Sequence, residues 1–146
     1  MVEGTPTVTE GGSAGRVGCR SVLGLRIPAD VGRPLALVAL PLSASALSDA
    51  IGGGLLDDAL TAEGGGGGYT FYVDEHRVAK GLRGNDRAAV LSARLGQVTR
   101  AGLADLCGDV LVLGCDGCLE DVSVPLFVVE AAVRSGLLVE QAEVDR

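Results

Sequence analysis

Tyr69-Thr70-Phe71-Tyr72-Val73 is the stretch from which the fold is read outward. Aromatic and β-branched residues favour a pleated backbone. A period of two places Tyr69, Phe71 and Val73 on one face of the strand. Downstream, Asp74-Glu75 marks a turn, after which residues 78–80 extend or pair with that strand. Asn85 then caps a helix in which Ala88, Leu91 and Leu95 share one face, with Asp86 near the positive end and Gly96 as terminator. Residues 110–113 are all apolar and form another strand. Over 125–134, Leu126, Val129 and Val133 align as a helix stopped by Gly136, and β-branched Val128 and Val129 keep a strand open there.

Upstream, five consecutive glycines at 64–68 place a mobile hairpin loop over 61–68, because such a run has high conformational entropy and little to pack. A short strand at 55–60 leads into it. Ser43 caps a short helix carrying Leu47 and Ile51, ended by Gly52-Gly53-Gly54. Before it, residues 35–40 lie between Pro34 and Pro41 as a buried strand. The order is β-α-β-β-α-β with a C-terminal helix. We therefore expect an α+β fold, a single domain over 21–146 behind a flexible tail at 1–20. That order is compatible with a ferredoxin-like split βαβ sheet with its helices on one face.

The 146 residues include 12 Lys and Arg against 19 Asp and Glu, a net charge of −7 with the single His neutral. Such a balance argues against a generic nucleic-acid coat, whose affinity rests on many phosphate contacts. A hydrophobic content of 47% excludes wholesale disorder, and two Tyr, two Phe and no Trp make the core aliphatic. One imidazole leaves little catalytic machinery, so we expect no enzyme and no cofactor. Residues 1–20 lack a basic start followed by an apolar run, and the uncharged stretch 34–48 is too short to span a bilayer. The expected setting is the cytoplasm, with no membrane contact and with reduced cysteines.

Charge is segregated. Six acids and no base lie between Pro34 and Glu75, whereas six bases (Arg77, Lys80, Arg83, Arg87, Arg94, Arg100) face only Asp86 between Arg77 and Arg100. One positive patch on a negative surface is the expectation, and its plain alternative is internal neutralisation of that patch.

Three constellations carry candidate chemistry. Gly68 with Tyr69 and Phe71 resembles an RNA-recognition strand, with Arg77, Lys80, Arg83 and Arg87 as phosphate contacts. The leading basic residue of that signature is absent, and aromatics in strands are more often core. Cys115-Asp116-Gly117-Cys118 with Cys107, and with either His76 or Cys19, offers four zinc ligands without a second Cys-x-x-Cys pair. Small apolar fillers are the plain alternative. Asp74-Glu75-His76 joins two carboxylates to the imidazole, with a solvated turn as its ordinary fate. The glycine runs are not phosphate cradles, since neither leads from a strand into a helix.

Over residues 34–125 the chain resembles the phage- and plasmid-associated family catalogued as domain of unknown function 3846. The resemblance rests on Leu40-Pro41, on Ile51, Gly53-Gly54 and Leu56-Asp57, and on Tyr72-Val73-Asp74-Glu75. It continues through Gly81-Leu82, Asn85, Ala88 and Leu91 to Gly108-Asp109 and the apolar strand ending at Gly114. The glycine loop, Arg83 and the Cys-x-x-Cys depart from it. It implies a mobile-element accessory protein in a bacterial host and assigns no catalytic residue. The leading expectation is a small acidic, non-enzymatic modulator that binds a host or element protein. Counter-defence is one version of that role. Asp57, Asp58, Asp74 and Glu75 would face a basic, nucleic-acid-handling partner. A nucleic-acid or nucleotide binder and a zinc-stabilised module are the alternatives.

Overall fold

Val110, Leu111, Val112 and Leu113 are all fully buried, which a strand achieves only when both faces of its sheet are covered. The computed structural model describes residues 20–64, 67–97, 106–116 and 120–138. Their elements run β1 (Ser21–Ile27), β2 (Ala36–Pro41), α1 (Ala44–Ala50), β3 (Leu56–Gly64), β4 (Gly67–Asp74), α2 (Asp86–Arg94), β5 (Val110–Cys115), β6 (Asp121–Val122) and α3 (Leu126–Arg134). The sheet order is β2-β1-β5-β4-β3, with β6 beside the end of β5 and every pair antiparallel. This is the expected α+β class.

The split βαβ arrangement is not what forms. It would set the strand before α1 beside β4, but β5 occupies that place and β2 lies at the edge. The cause is β1, which the sequence reading passed over because Gly24 and Arg26 interrupt its apolar residues. Pairing β2 along its whole length, β1 takes the position next to β5. A Cβ at Gly24 would stand 2.8 Å from the end of the Leu111 side chain, which a larger residue would have to displace.

Helices also cover both faces instead of one. Ala88 and Leu91 of α2 and Val128 and Ala132 of α3 pack with Leu25, Ile27, Phe71, Val110 and Val112. Leu47 and Ala50 of α1, with Ile51 just after it, pack with Val22, Leu111 and Leu113 on the opposite face. Alternate residues of β5 thus feed two separate cores.

Residues 125–134 are helical, with Pro125 as N-cap and Gly136 at φ +74° after the last turn. Residues 78–80 form a turn and no strand. The glycine-rich hairpin is tighter than a loop over 61–68. β3 runs to Gly64 and β4 resumes at Gly67, with Thr61 and Thr70 sharing a hydroxyl hydrogen bond of 3.2 Å. The reading of 1–20 as a tail lies, but for Arg20, outside the described residues.

Asn85 locks three pieces of this architecture together. Its Oδ1 accepts from Ala88 N–H at 3.0 Å as the α2 cap, while Nδ2 donates to Ile27 O at 2.8 Å and Gly108 O at 2.9 Å. The side chain is buried, so each lost partner strands a polar group. Asn85→Ala is expected to lower unfolding free energy by about 3 kcal/mol in denaturant titrations. Asn85→Asp keeps the cap acceptor but sets a carboxylate against two carbonyl oxygens, and is expected to destabilise at least as much at neutral pH.

Candidate functional site

Glycine conformations and buried hydrogen bonds bring distant segments together at one end of the sheet, where β1 and β4 finish and β5 begins. The α1 exit contributes Ile51 and Gly52, the end of β4 contributes Asp74, and the following turn contributes Lys80, Leu82 and Arg83. Ala29 and Asp30 beyond β1, with Gly108-Asp109 before β5, complete an open cleft of about 560 Å³. Gly52 (φ +97°) and Gly108 (φ +77°) hold backbone conformations that a side chain strains. Segments as distant in sequence as Ala29 and Asp109 are thus made neighbours by the fold.

Asp74 is the centre of the cleft wall. Only 3% exposed, it accepts from Lys80 Nζ at 2.6 Å through Oδ2 and from the His76 backbone N–H at 2.8 Å through Oδ1. Its carboxylate lies where a Cβ on Gly54 would be, so Gly54 is the space that Asp74 fills. The Lys80 hydrogen bond holds the Asp74 pKa below its ordinary 3.8; burial pulls the other way and the His76 N–H assists Lys80. Beside it, the buried Arg77 donates through Nη1 to Asp57 Oδ2 at 2.9 Å and to Asp74 O at 3.1 Å.

The other carboxylates of the cleft are also engaged by the protein itself. Asp109 Oδ1 accepts from Ala29 N–H at 3.0 Å, and its Oδ2 lies 3.9 Å from Arg33 Nη1. Asp30 Oδ1 accepts from Gly32 N–H at 2.9 Å. Arg87 donates to Pro28 O at 2.6 Å and Asp30 O at 2.9 Å, which ties α2 to the loop after β1. Arg83 is exposed and forms no ion pair with a described residue. The cleft is thus a preformed polar surface whose carboxylates position backbone.

The structure separates the candidate residues. Asp74 is withdrawn from the acidic partner surface by Lys80, and Asp57 is held by Arg77, leaving Asp58 and Glu75 exposed. Glu75 and His76 are exposed on the turn after β4, where the His76 backbone N–H donates to the buried Asp74 carboxylate. Tyr69 and Phe71 do not form a stacking platform. They are 1% and 0% exposed, and the Tyr69 ring meets Phe71 and α3's Phe127 at centroid distances of 5.9 and 5.8 Å. A base cannot reach rings that the aliphatic core and a helix already cover. Arg77 and Lys80 are spent on Asp57 and Asp74, and Arg87 on carbonyls, while Arg83 and Arg94 stay exposed without an ion pair to a described residue, so the positive patch is neutralised only in part.

Of the zinc set, Cys107, Cys115 and His76 fall among the described residues. Cys115 ends β5, roughly 16 Å at the rise of a strand from the Val110 end, and Cys107 lies before that end, bridged to Gly84. Two thiolates on one zinc need sulfurs within about 4 Å. No group of three metal-binding side chains occurs among the described residues; Cys118, Cys19 and Arg100 lie outside them. No spacing rule pointed to the Asp74–Lys80 pair or to the role of Gly54, because both depend on how α1 and the turn after β4 meet.

With this geometry in view, comparisons with known proteins bear on the fold. The solved structure of the small RNA methyltransferase HEN1 is similar, with a TM-score of 0.54 at 16% sequence identity. The match covers 79% of this chain and 16% of that chain, so it concerns the arrangement of elements alone. No family model and no curated protein sequence matches. Among the described residues no helix is long and apolar enough to cross a membrane.

The depressed Asp74 pKa fixes the sign of an acid effect. A carboxylate whose pKa is lower folded than unfolded contributes stability above its unfolded pKa, and that contribution is lost as pH falls through the folded value. Wild type is expected to lose melting temperature on acidification below about pH 4 more steeply than Lys80→Met, in which the partner is gone. Parallel thermal melts of the two proteins from neutral to acid pH provide the measurement.

Proposed function

We propose that the protein is a small acidic, non-enzymatic accessory of a mobile genetic element, a phage or a plasmid, that modulates a basic, nucleic-acid-handling protein by docking on it. The observation that carries this reading is the unequal fate of the charges around β3 and β4. Arg77 and Lys80 turn inward onto Asp57 and Asp74, while Asp58, Glu63 and Glu75 stand exposed without an ion pair to a described residue. The result is an acidic border on one edge of the sheet and the turn beside it, a field that orients a positively charged partner. The resemblance of residues 34–125 to a mobile-element family supplies the biological setting. Counter-defence in a bacterial cytoplasm is one form this modulation takes.

The aromatic residues needed for base stacking support the core instead, which favours a protein partner over RNA or DNA. The test is retention of proteins from nuclease-treated bacterial lysate on the immobilised full chain. Retention is expected to weaken steeply as salt rises, because exposed charges are screened within about 10 Å at 0.1 M. Combined Asp58→Asn, Glu63→Gln and Glu75→Gln is expected to reduce retention at least tenfold, while Arg83→Ala leaves it unchanged. Equal retention by the neutralised variant overturns the reading. So does a salt-sensitive complex with purified nucleic acid that depends on Arg83.

A further inference from the structure

The two edges of the sheet are built differently, and the difference points to a second site of association. A strand edge offers unpaired N–H and C=O groups to any other strand, and proteins blunt such edges with charge or a bulge. β3 has both, carrying Asp57, Asp58 and Glu63 and a register shift between Asp58 and Leu60. β2, Ala36-Leu37-Val38-Ala39-Leu40-Pro41, has neither. Its pairing with β1 is regular over all six residues, no charged residue occurs from 34 to 48, and among the described residues its outer side pairs with nothing.

Hydrogen-bond parity shows what that outer side offers. Leu42 N–H donates to Arg20 O at 2.9 Å, so Leu40, Val38 and Ala36 also direct their backbone groups toward β1. Leu37, Ala39 and Pro41 direct theirs outward. Pro41 has no N–H, and its carbonyl accepts from Ser43 N–H. The free donors of the strand are therefore Leu37 and Ala39. An antiparallel copy of the strand, related by a twofold axis at Val38, sets Leu37 opposite Ala39 of the copy and Ala39 opposite Leu37. That is the one register within β2 that pairs both donors, with four hydrogen bonds in all and Pro41 outside them.

We propose that β2 is a self-association edge, at which two copies of the chain join their sheets antiparallel about Val38. This goes beyond the docking of a basic partner and does not depend on it. Charge selects the occupant. Copies each carrying −7 repel, and they repel least where an uncharged strand meets an identical one. A basic partner finds no carboxylate on β2 to prefer. Leu23, 47% exposed, lies opposite the exposed Ala39 on the adjoining strand and extends the apolar border. Pairing of six residues covers less than the roughly 800 Å² per partner of a standard interface, so the dimer is weak, in the micromolar to millimolar range.

Sedimentation equilibrium of the full chain, from micromolar to millimolar, tests this. The mean mass is expected to rise from 14.7 kDa toward twice that value, and to rise further in high salt, which screens the repulsion. Ala39→Pro removes one outward donor from each copy and leaves the β1 ladder intact; at least tenfold weaker association is expected. Should circular dichroism show that this variant fails to fold, Ala39→Lys serves instead, placing a charge beside the twofold, opposite Leu37 of the copy. Val38→Cys is expected to oxidise to a covalent dimer, its two Cα atoms being about 4.5 Å apart, beyond any dimer formed by wild type or Ala36→Cys. A constant 14.7 kDa mass at millimolar chain in high salt overturns the proposal. Association that falls with salt, or that Ala39→Pro and Ala39→Lys leave unchanged, also overturns it by locating the contact elsewhere. Slow amide exchange at Leu37 and Ala39 in the dilute monomer does so too, since another segment of the chain then covers the edge. The opposite salt responses keep this outcome distinct from the failure of basic-partner docking.

Discussion

The structure depends on one constraint: the strand at 110–113 presents four consecutive apolar side chains, and each face of it has to be roofed. Val110 and Val112 belong to the core under α2 and α3, Leu111 and Leu113 to the smaller core under α1. A strand buried on both faces takes a central place, and the remaining strands are ordered around it. Its start is then fixed by Gly108, whose carbonyl is held by Asn85, and its end by β6. Gly114 leaves room for the Ser123 backbone, which a Cβ would overlap.

That central placement also makes the cleft. The turn into β5 comes up between the end of β1 and the end of β4, and Asn85 ties it to Ile27 and to α2. Asp109 and Asp74 then anchor the neighbouring loops, by way of Ala29 in the first case and Lys80 and His76 in the second. Carboxylates committed to backbone N–H groups and to a lysine are organisers of a surface. Their charge is largely consumed within the protein, and the exposed charged groups lie at the margins.

Local signals were legible wherever a residue's role is set by its own segment. Ser43 and Asn85 cap their helices as their side-chain chemistry dictates, and Gly96 and Gly136 close helices at positive φ. Tyr69, Phe71 and Val73 share the face that period two assigns them. Long-range placement was not legible in the same way. β1 hides because Gly24 answers to Leu111 across the sheet, and a glycine in isolation reads as a break in a strand. The all-apolar run at 110–113 did contain the correction to a one-faced sheet, since a strand exposed on one side alternates. For the site, the convergence of Gly54, Asp74 and Lys80 has no spacing signature, because it arises where three separately folded segments meet.

The fate of the basic residues shows why charge counted along a chain misleads about a surface. Six bases between Arg77 and Arg100 look like a patch in one dimension. In three, the turn after β4 folds back on the strands that carry the acids, and each pairing removes one charge of each sign from the surface. Arg77 removes Asp57 and Lys80 removes Asp74. Neutralisation in pairs leaves the net charge of −7 unchanged but redistributes what is visible, so exposed acids gain weight relative to exposed bases. It also costs little, since a half-exposed lysine keeps part of its hydration while the buried aspartate gains two donors. The same folding that pairs Arg77 and Lys80 with carboxylates leaves Asp58, Glu63 and Glu75 exposed around β3 and β2 without charge, giving the sheet one electrostatically guarded edge and one neutral one.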